Sequence, residues 1–328
     1  MNILDLFTQN LLSPPLLFFI LGIIGGVLKS DLDVPEQIGR YFAIYLMMAI
    51  GFKGGVAISE TPEINRQVII TVLAGLATGF TQPFLGYSLL RWTTKIDRPT
   101  AAAVSAHYGS ISMVTFVTAA GFLEANHIIY AGYIVAILAM MEAPAILTGL
   151  FIAHRAEPKT IQSTEKATPR LSREIFTNGA ILLLTGSFIV GALTGAKGLA
   201  KMSGFLVDPF QGVLSFFLLD MGLVVSRQLH HLKEFNLRLC LFGIYMPLFG
   251  ATVGLGLSYF IGLDLGTGLL FTVLIASASY IAVSAAMRLA LPQAKAAIYI
   301  PMSLAITFPF NISIGIPLYF SLAKYLLE

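Results

Sequence analysis

Two clusters of polar side chains stand inside otherwise apolar stretches. One holds Ser105, His107, Tyr108, Ser110, Ser112 and Thr115; the other holds Thr272, Ser277, Ser279, Tyr280 and Ser284. A single hydroxyl in such a setting usually bonds a carbonyl of its own helix or of a neighbour. Two clusters at related places in one chain point instead to a shared site. Hydroxyls, together with backbone N–H groups freed where a helix is interrupted, can replace the hydration shell of a small oxyanion without a fixed full charge. Tyr108, Ser110, Ser112, Thr115, Ser277, Ser279 and Tyr280 are therefore the candidate substrate ligands.

Three ionisable residues, Lys53, Glu142 and Asp220, also fall within apolar stretches. Each should face the interior and have a partner, because an isolated charge there is expensive. Glu142 precedes Pro144, which frees a helix carbonyl nearby. A carboxylate beside a free carbonyl and hydroxyls suits a hard cation, so Glu142 is the candidate Na⁺ ligand. The alternative is a structural ion pair of Lys53 with Asp220 or Glu142. His107 is the one histidine within a candidate site, and a lone histidine is more often a packed, hydrogen-bonded residue than a ligand.

The surrounding composition says what must hold these groups. Of 328 residues, 56% are hydrophobic and 11% charged, and the mean hydropathy is +0.82. A soluble domain carries about twice that share of charge, so a soluble enzyme, a disordered chain and a nucleic-acid binder are excluded. The single cysteine, Cys240, excludes a disulfide framework and a cysteine metal cage. No resident cofactor is called for. A spanning helix takes about 20 residues. The apolar runs predict ten spans near 13–28, 36–58, 67–90, 99–123, 129–153, 175–194, 205–226, 237–262, 265–290 and 295–325. The start of the chain lacks a basic n-region and does not read as a signal peptide. The connectors after the odd-numbered spans, with the span ends that flank them, hold 15 of the 20 Lys and Arg residues. That bias predicts both termini outside the cytoplasm.

The polar stretch 154–174 divides the spans into a first half, 1–153, and a second half, 175–328, with five spans each. Ala106-His107-Tyr108-Gly109-Ser110-Ile111-Ser112 parallels Ala278-Ser279-Tyr280-Ile281-Ala282-Val283-Ser284 as A-x-Y-x-x-[IV]-S. Pro83-Phe84-Leu85-Gly86 parallels Pro247-Leu248-Phe249-Gly250. An odd number of spans per repeat inverts the second half. Inverted repeats place a substrate site near the midplane, where broken helices meet. The fold class is thus all-α and integral to the membrane. It has ten transmembrane helices in two inverted five-helix repeats, with spans 4 and 9 broken.

The sequence resembles the sodium-dependent bicarbonate transporter family along nearly its whole length. The residues that carry the resemblance are Gly51-Phe52-Lys53-Gly54-Gly55-Val56-Ala57-Ile58, Tyr108-Gly109-Ser110-Ile111-Ser112 and Met141-Glu142-Ala143-Pro144-Ala145. It continues at Ser277-Ala278-Ser279, Arg288-Leu289-Ala290-Leu291-Pro292 and Gly315-Ile316-Pro317-Leu318. The resemblance implies symport of bicarbonate with Na⁺, a homotrimer, a PII-like regulatory protein at the cytoplasmic face, and a place in the bacterial inner membrane. It puts anion-binding hydroxyls at Ser110, Ser112, Thr115, Ser277 and Ser279, and the acidic residue before the span-5 proline at Glu142. The chain departs from the cyanobacterial pattern where Tyr280 replaces an aspartate and Lys53 a threonine. Unless Asp220 or Glu142 neutralises it, the Lys53 ammonium would take over part of the role of a bound Na⁺.

Two other classes bear weighing. An organic-anion symporter of the bile-acid type shares the ten-helix inverted architecture but takes a larger cargo. An intramembrane protease would need an H-E-x-x-H pair or a base beside a membrane serine, and only His107 lies deep enough. With no Walker lysine motif, ATP-driven transport by this chain is not expected, and the reading is of a transporter and not an enzyme.

Overall fold

The computed structural model describes residues 12–59, 65–156, 179–229, 235–280, 283–284, 286–287 and 291–328. Most of the 154–174 connector therefore lies outside the described residues. Among the described residues the chain is helical and has no strand. The first helices are α1 (Pro14–Val27), α2 (Glu36–Ser59), α3 (Arg66–Thr93), α4 (Arg98–Gly109), α5 (Met113–Ala125) and α6 (Tyr133–Ala156). They are followed by α7 (Gly179–Leu206), α8 (Phe210–Gln228), α9 (Leu237–Ile261), α10 (Leu265–Ala276) and a composite α11 (Ala296–Leu327). Among the described residues six helices, α2, α3, α6, α8, α9 and α11, are long and apolar enough to cross a membrane. The protein is a multi-pass membrane protein. Large side chains such as Leu73, Leu193 and Phe260 are more than half exposed, as surfaces that face lipid require.

The helices sort into two layers. In the first, α1 packs on α8 and α2 on α7. Glycine permits both approaches: a Cβ at Gly22 would meet Leu219 O, one at Gly222 would meet Phe19 O, and one at Gly191 would meet Phe52 O. Backbones this close gain dispersion contacts that lipid cannot match. Gly195 has φ +58 and divides α7. Before it, Gly191 lies against Phe52; after it, the chain returns along α2, and Tyr45 OH donates to Phe205 O at 2.5 Å.

In the second layer α3, α4 and α6 pack on one another, α9 packs on α10 and α11, and α5 packs on α10. Two π-helical segments, Met302–Thr307 and Asn311–Gly315, interrupt α11 around Pro309, whose missing N–H cannot complete an α-helical ladder.

Spans 4 and 9 begin alike. Each opens with a 12-residue helix, α4 and α10. Asp97 caps α4 by accepting from Thr100 N at 2.9 Å, and Asp264 caps α10 by accepting from Thr267 N at 2.9 Å. Each helix ends at a serine in extended conformation, Ser110 (φ −100, ψ 170) and Ser277 (φ −97, ψ 173). Caps and ends are both 167 residues apart, from 97 to 264 and from 110 to 277. This corrects the register read from the A-x-Y-x-x-[IV]-S match, which is five residues away. Tyr108 lies within α4, whereas Tyr280 lies beyond the end of α10. The match joined unlike places because small residues recur throughout both segments.

The same hydroxyls tie the two halves together. Thr100 Oγ1 accepts from Lys295 N at 3.0 Å, ahead of α11, and Thr267 Oγ1 accepts from Ala131 N at 2.8 Å, ahead of α6.

Candidate functional site

The interruption between α4 and α5 spans Ser110, Ile111 and Ser112; the one after α10 runs from Ser277 to Tyr280. Residues 110–112 and 277–279 are buried, so most of their polar groups must find partners within the protein. Much of that need is met across the two interruptions. Ser112 N donates to Ser277 Oγ at 2.8 Å, and Ser279 N donates to His107 O at 2.9 Å. The carbonyls freed at the end of α10 are taken by amide side chains from other helices. Gln82 Nε2 on α3 donates to Ile275 O at 2.9 Å, and Asn311 Nδ2 donates to Ala276 O at 2.9 Å. Tyr319 OH, in turn, donates to Asn311 Oδ1 at 2.9 Å and fixes that amide.

The candidate hydroxyls divide by what already holds them. Ser277 Oγ accepts from Ser112 N and donates to Leu274 O, so it joins the two segments. Tyr108 OH is 2.6 Å from Thr307 Oγ1, which donates to Gly243 O; that tyrosine ties α4 to α11 and α9. Thr115 Oγ1 donates to Ser112 Oγ at 2.9 Å, and Thr115 N donates to the same oxygen at 3.2 Å. Ser112 Oγ thus accepts twice and has its own proton left to donate. Among the described residues Ser110 Oγ and Tyr280 OH are buried and have no hydrogen-bond partner; the Tyr280 hydroxyl lies near Ser112 without completing a bond. His107 is held as a structural residue. Its Nδ1 is 2.6 Å from Ala103 O, its Nε2 is 3.0 Å from Ser284 Oγ, and its ring packs 4.7 Å from Tyr299. With the carbonyl able only to accept, Nδ1 carries the proton and Nε2 accepts from Ser284.

A cavity of about 1210 Å³ opens between the two layers, against these interruptions. Ser112, Ser279 and Tyr280 line it, whereas Tyr108, Ser110, Thr115 and Ser277 stand behind the wall. Opposite are mainly apolar residues of α2 and α7, with the cations Arg40 and Lys201 on the same lining. Ser112 is also the N-cap of α5, whose first turn presents backbone N–H groups and the positive end of the helix dipole. Hydroxyl donors and a helix N-terminus on one wall, with two cations on the helices opposite, are groups that attract an anion.

The model of the Na⁺-dependent bicarbonate transporter superfamily matches residues 14–324 of the 328. The chain belongs to this superfamily. No curated protein matches it. Within this superfamily member, the charged residues expected near the site are arranged differently from the sequence reading. Among the described residues Lys53 does not pair with Asp220. Its Nζ lies 2.5 Å from Glu124 Oε1, on the last turn of α5, and 4.3 Å from the centre of the Phe210 ring. Glu124 is 12 residues beyond Ser112, about 18 Å along the helix. The Lys53 ammonium is therefore compensated away from the hydroxyls and does not stand in for a cation there. Asp220 faces Gly39, 14 residues from Lys53 and about 21 Å away along α2. Glu142 is on α6, and its side chain lies outside the described residues.

Sequence reasoning missed Gln82, Asn311 and Glu124. The first two carried a signal, since an amide in an apolar run needs a partner. Glu124 was set aside because it falls one residue beyond the predicted span.

Proposed function

We propose that this superfamily member is a secondary active transporter that carries bicarbonate, or an anion of similar size, in symport with Na⁺. Its ten spans form two inverted five-helix repeats, 1–153 and 175–328, joined by a cytoplasmic connector. The observation that carries this reading is the pair of hydrogen-bonded interruptions on one cavity wall, with the Tyr280 hydroxyl buried and unpartnered beside them. Ser112, Ser279 and Tyr280 donate to the anion. Ser277, Thr115 and Tyr108 hold those donors in place, and Ser110 supplies a further buried hydroxyl. Glu142, beside the Pro144 position, takes part in binding Na⁺. Motion of the α1, α2, α7 and α8 layer past the other exposes the wall to each side in turn.

The matching caps of α4 and α10, and the exchange of Thr100 and Thr267 contacts between halves, support the inverted repeat. The bias of Lys and Arg supports a bacterial inner-membrane orientation with both termini outside the cytoplasm. The family resemblance supports a homotrimer and a PII-like partner at the cytoplasmic face.

One observation favours a second reading. A cavity of about 1210 Å³ with mostly apolar walls exceeds what bicarbonate fills, so an organic-anion symporter of the bile-acid type is the alternative cargo class. Uptake of labelled bicarbonate into proteoliposomes, with and without an inward Na⁺ gradient, tests the two. Gradient-driven uptake that excess bile acid leaves unchanged is expected. Uptake of labelled bile acid alone would select the alternative.

A further inference from the structure

Among the described residues, Lys53–Glu124 is the least exposed ion pair; Arg227–Asp33 and Lys295–Asp97 are more exposed. It joins the two layers, since Lys53 is on α2 and Glu124 on α5. Two other ties cross between the layers at the same end. Gln211 Nε2 on α8 donates to Gly121 O on α5 at 3.0 Å. Gly54 and Gly132 are in backbone contact, so that a Cβ at Gly132 would meet Gly54 O. The cavity stops where these ties begin. Its lining on α2 runs from Arg40 to Phe52, the residue before Lys53, and on α5 from Met113 to Val117.

We propose that Lys53 and Glu124 form a latch that keeps the cavity closed at this end, and that the pair opens whenever the hydroxyl wall is exposed there. The proposal rests on the alternating-access reading. It assigns these two residues a gating role and not a share in the substrate site. The pair is suited to switching. With side-chain exposures of 16% and 29%, neither charge is fully enclosed by protein, so separating them does not leave an unpaired ion in the protein core. The Phe210 ring, at the start of α8, holds the ammonium on the first layer when the carboxylate leaves.

The test uses the full chain with Cys240→Ala and one reporter, Ser187→Cys, on the α7 wall of the cavity. A membrane-impermeant thiol reagent is applied to vesicles of each orientation. Glu124→Gln, which keeps the side-chain shape, and Lys53→Met should each raise labelling from the Lys53 end about three- to tenfold, the scale of one partly exposed ion pair. The exchanged pair, Lys53→Glu with Glu124→Lys, should return labelling to the parent rate. Unchanged labelling in both single variants would overturn the proposal. So would a rise of equal size from both sides, which marks a loosened fold, or an exchanged pair that labels as fast as the single variants. Because labelling needs no substrate, absence of bicarbonate uptake in the parent protein would reject the transport reading and leave the latch result to stand or fall alone.

Discussion

The two chain interruptions begin as near copies and end as different instruments. Both follow a 12-residue helix capped by Asp-x-x-Thr, and both open with an extended serine. After the first, Ser112 caps a new helix and α5 continues for 13 residues. After the second, Ser279 holds the place that corresponds to Ser112, and the next residue, Tyr280, packs its ring edge-on against Phe308 at 5.7 Å, its hydroxyl without a hydrogen-bond partner among the described residues. The first interruption therefore supplies a helix N-terminus and a donor primed by Thr115. The second supplies a buried hydroxyl with unmet hydrogen-bonding capacity, held by Gln82 and Asn311 from behind. The two interruptions are alike in their caps and extended serines and unlike in what their hydroxyls already hold.

That contrast can be broken in graded ways. The largest effect is expected from Ser112→Ala. Losing a donor to a charged ligand costs about 1.5–3 kcal/mol, or about ten- to more than a hundredfold in apparent affinity for the anion. Uptake kinetics should show it, alongside a loss of about 1 kcal/mol of stability because Ser112 also caps α5. Gln82→Leu strikes the brace instead. It leaves Ile275 O unsatisfied, which costs about 1–3 kcal/mol of stability, so its midpoint of thermal unfolding should fall before its affinity does. Tyr280→Phe removes a hydroxyl that has no hydrogen-bond partner among the described residues. Its stability should hold or rise while affinity drops about tenfold, the weight of one hydrogen bond to an anion; a drop in both would make Tyr280 a structural residue.

The smallest effect is expected at the caps. Replacing Asp97 with Ala should cost about 1 kcal/mol. Burial pushes the Asp97 carboxyl up, but hydrogen bonds from Thr100 and the nearby Lys295 outweigh it and hold the carboxyl below its usual value. A depressed folded-state value means the carboxylate's stabilisation is complete above its unfolded value, about 3.9. It is lost as pH falls through the lower folded-state value. Thermal melts should therefore show a constant difference between Asp97→Ala and the parent from pH 6 to 8, shrinking only in strong acid.

Much of the frame was legible because a bilayer leaves few options. Apolar runs of the right length located helices, and hydroxyls that stand out in two of those runs fall at the ends of α4 and α10. The register between halves was not read correctly. Residue-type matches such as A-x-Y-x-x-[IV]-S are drawn from a small alphabet, whereas Asp97-Arg98-Pro99-Thr100 and Asp264-Leu265-Gly266-Thr267 carry a capping requirement that fixes position. Which hydroxyls would face a ligand was hidden too, because Ser112 and Ser277 differ only in what their oxygens already hold. The Lys53 partner, 71 residues away at the far end of α5, depends on how the two layers meet and has no local signature.

The most direct test of the site uses Met113, which stands on the cavity wall 167 residues before Tyr280 and makes no proposed contact to the anion. In a Cys240→Ala background, Met113→Cys is labelled by a membrane-impermeant thiol reagent at rising bicarbonate concentration with Na⁺ present. Saturable protection is expected, with a midpoint matching that of uptake and lost in Ser112→Ala. A labelling rate indifferent to bicarbonate at concentrations that saturate uptake would place the substrate elsewhere and contradict the account.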